Sequence, residues 1–433
     1  MTPAARLAAA AELLDQIAVS RAPAEAVLKN WGQAHRYAGS KDRRAIADRV
    51  YRALRNRARL AWAAGEESGR ALVLFSLALL DGLGVEEIEA LYTGAGYGPG
   101  PLSEAERGRL AASPGAPPAW VTAGLPAFAA EDFQRRFGDE WAAEAEALMA
   151  PRAPIDLRVN ALKGDREGAL EALRTEGLAP EPSPLSAWGV RLSAEPPPNV
   201  QKLEAFRDGR VEIQDEGSQL AAWLARAQPG ETVVDFCAGG GGKTLALAQD
   251  MAGEGRLVAC DVEARRVEAI RPRLARAGLQ ADLRVLGPEA AEVEDLREAA
   301  DLVFVDAPCS GSGTWRRRPE TAWRLTGEEV ERLHALQVEI LGRAARLVRP
   351  GGRLAYITCS VLGRENEDSA AAFAAAHPGF GPVSIAQAAA SPDLTDAGRA
   401  RLAELAGAGH TLQLTPRRTQ TDGFFIALFQ RTA

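Results

Sequence analysis

The stretch TVVDFCAGGGGKTLALAQDMA, residues 232–252, decides how the chain is read. Three β-branched residues in a short apolar run open it, four glycines follow, and then an apolar-periodic run that suits a helix. Glycines between a strand and a helix let the backbone approach a ligand closely, and the helix start offers unpaired N–H donors. A Walker A loop would need glycine five places before Gly242, and that place holds Cys237. The dinucleotide pattern would need glycine at Thr244. What remains is a loop suited to a nucleotide-like ligand, or a flexible turn.

Working outward, strand and helix alternate. GRLVACD (255–261) is followed by the helical EARRVEAIRPRLARAG (263–278), then ADLRVL (281–286) and a helical stretch. DLVFVDAP (301–308), the helix EEVERLHALQVEILGRAARLV (328–348) and GRLAYITCS (352–360) come next, and GFFIALFQR (423–431) closes the series. This alternation predicts an α/β fold: a doubly wound, mostly parallel Rossmann-like sheet covered by helices on both faces. Ligands of such sheets sit at the carboxyl ends of the strands. Cys237, Asp261, Cys309 and Cys359 all directly follow strand-like runs, so they are expected on one rim. An acid about 20 residues past a glycine loop typically accepts from ribose hydroxyls. Asp261 fits that role, and it also suits the entry of the following helix.

Before this region the texture differs. AARLAAAAELLDQI (4–17) and SKDRRAIADRVYRALRNRARLAWAA (40–64) carry apolar residues at helical spacing, with Ser40 as a start signal. GAGYGPGP (94–101) and ASPGAPP (112–118) read as loops. PIDLRVNAL (154–162), DREGALEALRTEG (165–177) and WGVRL (188–192) read as strand, helix and strand, and the Pro-rich SAEPPPNVQ (193–201) as a loop. The expected organisation is a helical domain over 1–150, a small α+β subdomain over 151–205 and an α/β domain over 206–433. A chain of 433 residues is long for a single core.

Composition excludes several classes. A net charge of −7 argues against a uniformly basic nucleic-acid binder, yet residues 36–59 hold nine Lys/Arg against Asp42 and Asp48, a local +7. That patch suits phosphates or is a solvated helix face. The apolar run ALVLFSLALL (71–80) is too short for a membrane span. Glu12 and Asp15 interrupt anything like a signal peptide. Four cysteines without a CxxC pair, and only four histidines, suggest reduced thiols in a cytoplasm and no metal centre. The thiols of Cys237 and Cys260 read as inert filler. Cys309 and Cys359 differ: each ends a strand, each is followed by serine, and a cleft is expected where they sit. Lys243 can supply positive charge near them.

DAPCSGSGTWRRRPE (306–320), GGRLAYITCSVLGRENE (351–367) and TDGFFIALFQR (421–431) resemble the Sun/Fmu (Nop2-type) RNA cytosine-5 methyltransferases. SKDRRAIADRVYRALR resembles the NusB-like helical RNA-binding domain of the bacterial branch, and GRVEIQDEGSQLAAWLA (209–225) the segment before the catalytic core. The resemblance implies methylation of carbon-5 of a cytosine in RNA by S-adenosylmethionine. A thiolate adds to the neighbouring ring carbon and turns carbon-5 into a nucleophile. It implies Cys359 as that nucleophile, Cys309 as the thiol assisting release, and Asp306 as the residue holding the base edge. CAGGGGK (237–243) takes the place of the family's CAAPGGK, so Cys237, Ala238, Gly239, Gly240, Gly241, Gly242 and Lys243 fall on the cofactor loop, with Asp261 and Asp306 beside it. Gly240 stands where proline is usual, which suggests a more mobile loop. Pro288 stands where an Asp usually reaches the adenine, and a nearby carbonyl is the expected substitute. WRRR (315–318) suits phosphates or is a solvated loop, and Glu365, Asn366 and Glu367 read as helix-start residues. The implied substrate is small-subunit ribosomal RNA, with transfer RNA as the alternative, and the implied state is a cytoplasmic monomer without metal.

Two readings from other classes remain. LVFVD followed by small residues also resembles a Walker B strand of an NTPase, against which Cys237 and the missing P-loop glycine stand. A non-catalytic RNA-binding module would use the helical domain alone, and Asp306, Cys309 and Cys359 would then be idle. A zinc deaminase is excluded, since PCSGSG is not PCxxC.

Overall fold

A computed structural model describes residues 1–112, 115–149, 152–194 and 197–432. Two residues each of the expected loops ASPGAPP and SAEPPPNVQ, and the expected boundary at 150–151, lie outside the described residues. The chain divides into two compact units. One is Met1–Arg152 with Thr314–Gly327, the other Ala153–Gly313 with Glu328–Ala433.

The first unit is helical. Pro3–Val19, Ser40–Arg55 and Gly69–Asp81 bury Leu13, Leu14, Ile17, Ile46, Val50, Leu74 and Phe75 in one core. The start of the basic helix differs from the expectation. Gly39, not Ser40, is the residue before its first turn, and Asp42 Oδ2 accepts from Gly39 N at 3.1 Å. The acid that caps the helix sits three places after the glycine, which a reading centred on Ser40 misses. The segment Thr314–Gly327 joins this unit through Trp323, whose indole donates to Leu54 O at 2.8 Å, and Glu320, which accepts from Ala24 N at 3.0 Å.

The second unit holds two sheets. The smaller one is antiparallel, β1 (Ile155–Val159), β2 (Glu181–Pro182), β3 (Gly189–Leu192) and β4 (Val211–Ile213), in the order β2-β3-β1-β4. β4 lies beyond residue 205, so this sheet borrows a strand from the expected α/β stretch. The helix Arg166–Thr175 packs Leu170 and Leu173 against Leu157 and Val190. Buried polar residues tie this sheet to the rest of the unit. Arg158 donates to Gln214 at 2.7 Å, and Asn160 donates to the carbonyl of Ala277 at 2.8 Å.

The larger sheet contains β5 (Thr232–Asp235), β6 (Arg256–Asp261), β7 (Asp282–Val285), β8 (Ala300–Asp306), β9 (Val348–Thr358), β10 (Phe380–Pro382), β11 (Thr411–Leu414) and β12 (Phe424–Arg431). Its order is β10-β12-β9-β8-β5-β6-β7, with β11 on β12. β9, β8, β5, β6 and β7 run parallel, and β12 is antiparallel to β9. Val233, Val234, Val258, Val303, Phe304 and Ile357 are fully buried, as strands covered on both faces require. The helical stretch expected between β7 and β8 is only a six-residue 3-10 turn, Ala291–Leu296. The chain winds from β5 to β6 and β7 on one side and returns to β8 and β9 on the other. The crevice for a ligand therefore opens at the ends of β5 and β8. Among the described residues no helix is long and apolar enough to cross a membrane.

Candidate active site

β5 ends in a fully buried Asp235 and passes into the glycine turn. Gly239 (φ 54°) and Gly241 (φ 81°) adopt left-handed backbone, and Gly241 is the residue from which the helix Gly242–Asp250 starts. A side chain on Gly241 would meet Ile270 at 2.8 Å, so glycine is required there by both conformation and space. Ala238 N donates to Cys260 O at 2.8 Å and Gly239 N to Asp261 Oδ2 at 2.9 Å, which fastens the turn to the end of β6. Asp261 Oδ1 accepts from Glu263 N at 2.9 Å. Each carboxylate oxygen of Asp261 thus keeps one lone pair for a further donor. Val262 beside it is 71% exposed, an apolar surface next to a free acceptor. An open glycine turn, an acid with spare lone pairs and an exposed apolar side chain fit a nucleoside.

Gly240 lacks the family's proline, but the turn is not left loose. The Arg273 guanidinium donates to the Gly240 carbonyl and is itself paired with Glu212 at 3.3 Å. At Pro288, where the adenine-contacting Asp is missing, the residue's own carbonyl already accepts from Arg343 at 2.5 Å.

Lys243 Nζ donates to Asp306 Oδ2 at 2.7 Å and lies 4.9 Å from the centre of the Phe424 ring. Burial disfavours the Lys243 ammonium, but the charge and hydrogen bond of Asp306 outweigh it, with Cys359 and Asp235 adding, so its pKa is held above the ordinary lysine value. Beneath the turn, burial pushes Asp235 up to about 7, opposed by the Thr244 hydroxyl at 2.6 Å and reinforced by Asp306.

Cys309 and Cys359 follow β8 and β9, and their sulfurs are 3.4 Å apart. Both thiols are free and half-buried. The hydrogen bond with Cys359 pushes the Cys309 thiol up, then burial, then the charges of Cys359 and Glu365, against a backbone contact from Gly311. Burial raises the thiols of Cys237 and Cys260, Cys260 to about 12.

Sequence reasoning missed what holds the thiols in place. Glu365, Asn366 and Glu367 stand at the start of the helix Glu367–Ala376, as expected, but Glu365 and Asn366 are fully buried there. Glu365 accepts from Ser310 N at 2.7 Å, Ser360 Oγ at 2.6 Å, Ser310 Oγ at 2.5 Å and Gln337 Nε2 at 3.1 Å. Asn366 accepts from Thr358 at 2.6 Å and donates to Ser360 O at 3.0 Å. The sequence carries half of the signal: a serine follows each thiol, but nothing local points from either serine to Glu365.

The basic stretch is partly consumed inside its own unit. Arg49 and Arg52 pair with Asp81, Arg57 with Glu67, and Arg59 donates to Thr122 O. Arg36, Lys41, Arg43 and Arg44 remain at the surface. In WRRR, Trp315 and Arg316 are buried and only Arg318 is exposed, so it is not a solvated loop.

A parallel-dominated sheet that brings a glycine turn, a strand-end acid and a thiol pair to one rim is the architecture of a Rossmann-like methyltransferase. Residues 221–430 match the family model described as 16S rRNA methyltransferase RsmB/F, and residues 125–199 match the RsmF/B-like ferredoxin-like domain; the chain belongs to this family. Ribosomal RNA small subunit methyltransferase B of Cronobacter sakazakii is 33% identical over 299 residues, 68% of this chain and 63% of that protein. The protein of the same name from Pseudomonas putida is 32% identical over 312 residues, 72% of this chain and 65% of that protein. The chain thus spans less than two thirds of the length of these relatives. Among solved structures, PH0851 superimposes with a TM-score of 0.77 at 25% identity, covering 100% of this chain and 99% of that one. A methyltransferase homologue from Pyrococcus horikoshii gives 0.58 at 25% identity, covering 72% of this chain and 97% of that one.

Proposed function

We propose that this chain methylates carbon-5 of a cytosine in RNA, with S-adenosylmethionine as methyl donor and small-subunit ribosomal RNA as substrate. The observation that carries the reading is the pair of thiols 3.4 Å apart beside the Lys243–Asp306 pair. S-adenosylmethionine supplies the methyl group. Ala238, Gly239, Gly240, Gly241, Gly242 and Asp261 are the residues suited to hold its nucleoside. Cys359 forms a carbon–sulfur bond to the ring carbon beside carbon-5, and the electron pair released into the ring makes carbon-5 nucleophilic. Asp306 holds the base edge and supports protonation of the ring nitrogen, and Lys243 fixes the Asp306 carboxylate. Release requires transfer of the carbon-5 proton to water or another base; the electron pair it leaves re-forms the ring double bond and breaks the carbon–sulfur bond, with Cys359 leaving. Cys309 assists that departure from 3.4 Å. The names of the relatives support ribosomal RNA, and the exposed Arg36, Lys41, Arg43 and Arg44 suit its phosphates.

A denaturing gel with labelled RNA tests the reading. Cys309→Ala should add to the base and transfer methyl but stall, leaving a covalent RNA–protein band, while Cys359→Ala gives neither band nor methylation. Electrostatic contacts do not survive denaturation. A band from Cys359→Ala and none from Cys309→Ala would exchange the two roles. Near-normal methylation by both variants would end the covalent mechanism. Bisulfite sequencing of RNA incubated with wild type then reports whether ribosomal or transfer RNA carries the mark.

A further inference from the structure

The two thiols belong to different loops, one after β8 and one after β9; the paired strands bring the loops side by side as far as Asp306 and Ile357, and side chains hold them beyond that point. One side chain collects bonds from both loops. Glu365 Oε1 accepts from Ser310 N at 2.7 Å and from Gln337 Nε2 at 3.1 Å. Its Oε2 accepts from the hydroxyls of Ser310 and Ser360. Four donors fill the acceptor sites of an ionised carboxylate. Gln337 Nε2 also donates to Pro308 O at 3.0 Å, so the residue before Cys309 is fixed from the same point. With the Ser360 proton committed to Glu365, the Ser312 hydroxyl donates to Ser360 Oγ at 2.9 Å, and Ser312 Oγ accepts from Val361 N at 2.9 Å. Gly313 N donates to Cys359 O at 2.9 Å and completes the lacing of the two loops.

Charge is divided across the same pair. The Glu365 carboxylate is bonded to the residue that follows Cys309, and its charge bears on the Cys309 thiol. The Lys243 ammonium senses Cys359. Asp306 and Asp235 bear on Lys243 from its own side, and the buried Tyr356 hydroxyl, which senses the charge of Cys309, donates to Glu365 O. A negative sulfur at Cys309 would face a carboxylate, while one at Cys359 faces an ammonium.

We propose that Glu365 is a positioning residue: its buried carboxylate ties the Cys309 loop to the Cys359 loop and, with Lys243 on the opposite side, keeps the proton of the thiol pair on Cys309. The mechanistic consequence rests on the function proposed above. Cys359 is left as the attacking sulfur, and an S–H stands 3.4 Å from the sulfur that must later leave. The separation of tasks between two chemically identical thiols then comes from a residue that touches neither substrate nor methyl donor.

The test is alkylation by iodoacetamide across pH 6–10, with the occupancy of each cysteine read by mass spectrometry, in wild type, E365Q and the double variant S310A/S360A. Wild type should label first at Cys359. E365Q should label Cys309 at lower pH, and the Cys359-to-Cys309 rate ratio should fall by about tenfold, one pKa unit of lost discrimination. S310A/S360A keeps the charge and should keep the preference for Cys359. Superimposable pH profiles for wild type and a folded E365Q would reduce Glu365 to a packing residue. Should E365Q fail to fold, the wild-type profile decides alone: Cys309 labelling before or together with Cys359 overturns the proposal. Alkylation needs neither RNA nor methyl donor. A chain that labels as expected yet methylates no RNA therefore sinks the proposed function and leaves this inference standing.

Discussion

Asp235, at the end of β5, and Glu365, after β9, are both fully buried acids beneath loops of the same rim, yet they are held differently. Asp235 Oδ2 accepts only from Thr244, and its Oδ1 has no partner among the described atoms. Glu365 accepts from four donors on three segments of chain. Burial pushes Asp235 up to about 7 because one hydroxyl is little compensation for lost water. The contrast comes from the composition of each loop. The glycine turn presents backbone and is fixed by its own conformation, so the acid beneath it has only a helix start to hold. The thiol loops must place side chains, and side chains need side chains to fix them.

The largest effect should come from removing the better-held acid. Glu365→Leu leaves the Ser310 N–H, two hydroxyls and one of the two Gln337 amide hydrogens without their acceptor, the other still bonded to Pro308 O, at a cost of roughly 3–5 kcal/mol. Asp235→Leu strands one hydroxyl and should cost about 1–2 kcal/mol. Calorimetric melting of both variants checks the ratio. Equal losses would mean that the number of donors does not set the difference.

The next effect is a pH dependence. The folded-state pKa of Asp235, about 7, lies above its ordinary value of 3.8. Between these values the folded chain holds a proton that the unfolded chain has lost. Stability linked to Asp235 is therefore lost as pH rises from about 4 to 7 and is flat above that. Asp235→Asn mimics the protonated acid. Its stability relative to wild type should rise from pH 5 to pH 8, by roughly 2 kcal/mol. A constant difference across that range would show that Asp235 stays charged and that the contrast with Glu365 is wrong.

How much of this was legible in the sequence obeys the same division. The sheet was legible because TVVD, LVACD, DLVFVD and LAYIT are short apolar runs separated by amphipathic helices, a pattern set by burial on both faces. The strand-end rule brought Cys237, Asp261, Cys309 and Cys359 to one rim, where the structure has them. Local turns were less legible. Gly39 and Asp42 cap the basic helix, while Ser40 was the more obvious signal. β4 pairs with β1 across more than fifty residues, and nothing local in GRVEIQ marks that long-range partner. Glu365 was hidden for a different reason. An acid before a helix has an adequate local explanation, and only the tertiary fold brings Ser310, fifty-five positions earlier, against it. The same limit applies to the basic stretch, whose Arg49, Arg52 and Arg57 are neutralised by acids from other segments.

The smallest effect belongs to the glycine turn, and it tests whether that loop really depends on backbone alone. Gly239 and Gly241 both have positive φ, 54° and 81°. A side chain in left-handed backbone costs about 1–2 kcal/mol at either. They differ in space. At Gly239 an added Cβ meets nothing within 4 Å, whereas at Gly241 it meets Ile270 Cγ2 at 2.8 Å and Cγ1 at 3.0 Å. Ile270 is fully buried, so it has little room to yield. Gly241→Ala should therefore twist the first turn of the helix Gly242–Asp250, displacing Lys243 from Asp306 and the donors of the turn together. Calorimetric affinity for S-adenosylhomocysteine, the demethylated donor, should fall about tenfold in Gly241→Ala. In Gly239→Ala the loss should be smaller, because only conformation is strained. Cys309 and Cys359 should alkylate as in wild type in Gly239→Ala, which leaves Lys243 on Asp306. In Gly241→Ala the displaced Lys243 should narrow the preference for Cys359, while Cys309 stays the later to label because Glu365 holds it from the other side of the rim. If Gly241→Ala instead labels Cys309 first, the two loops are one mechanical unit, and the distinction between a backbone loop and a side-chain loop fails.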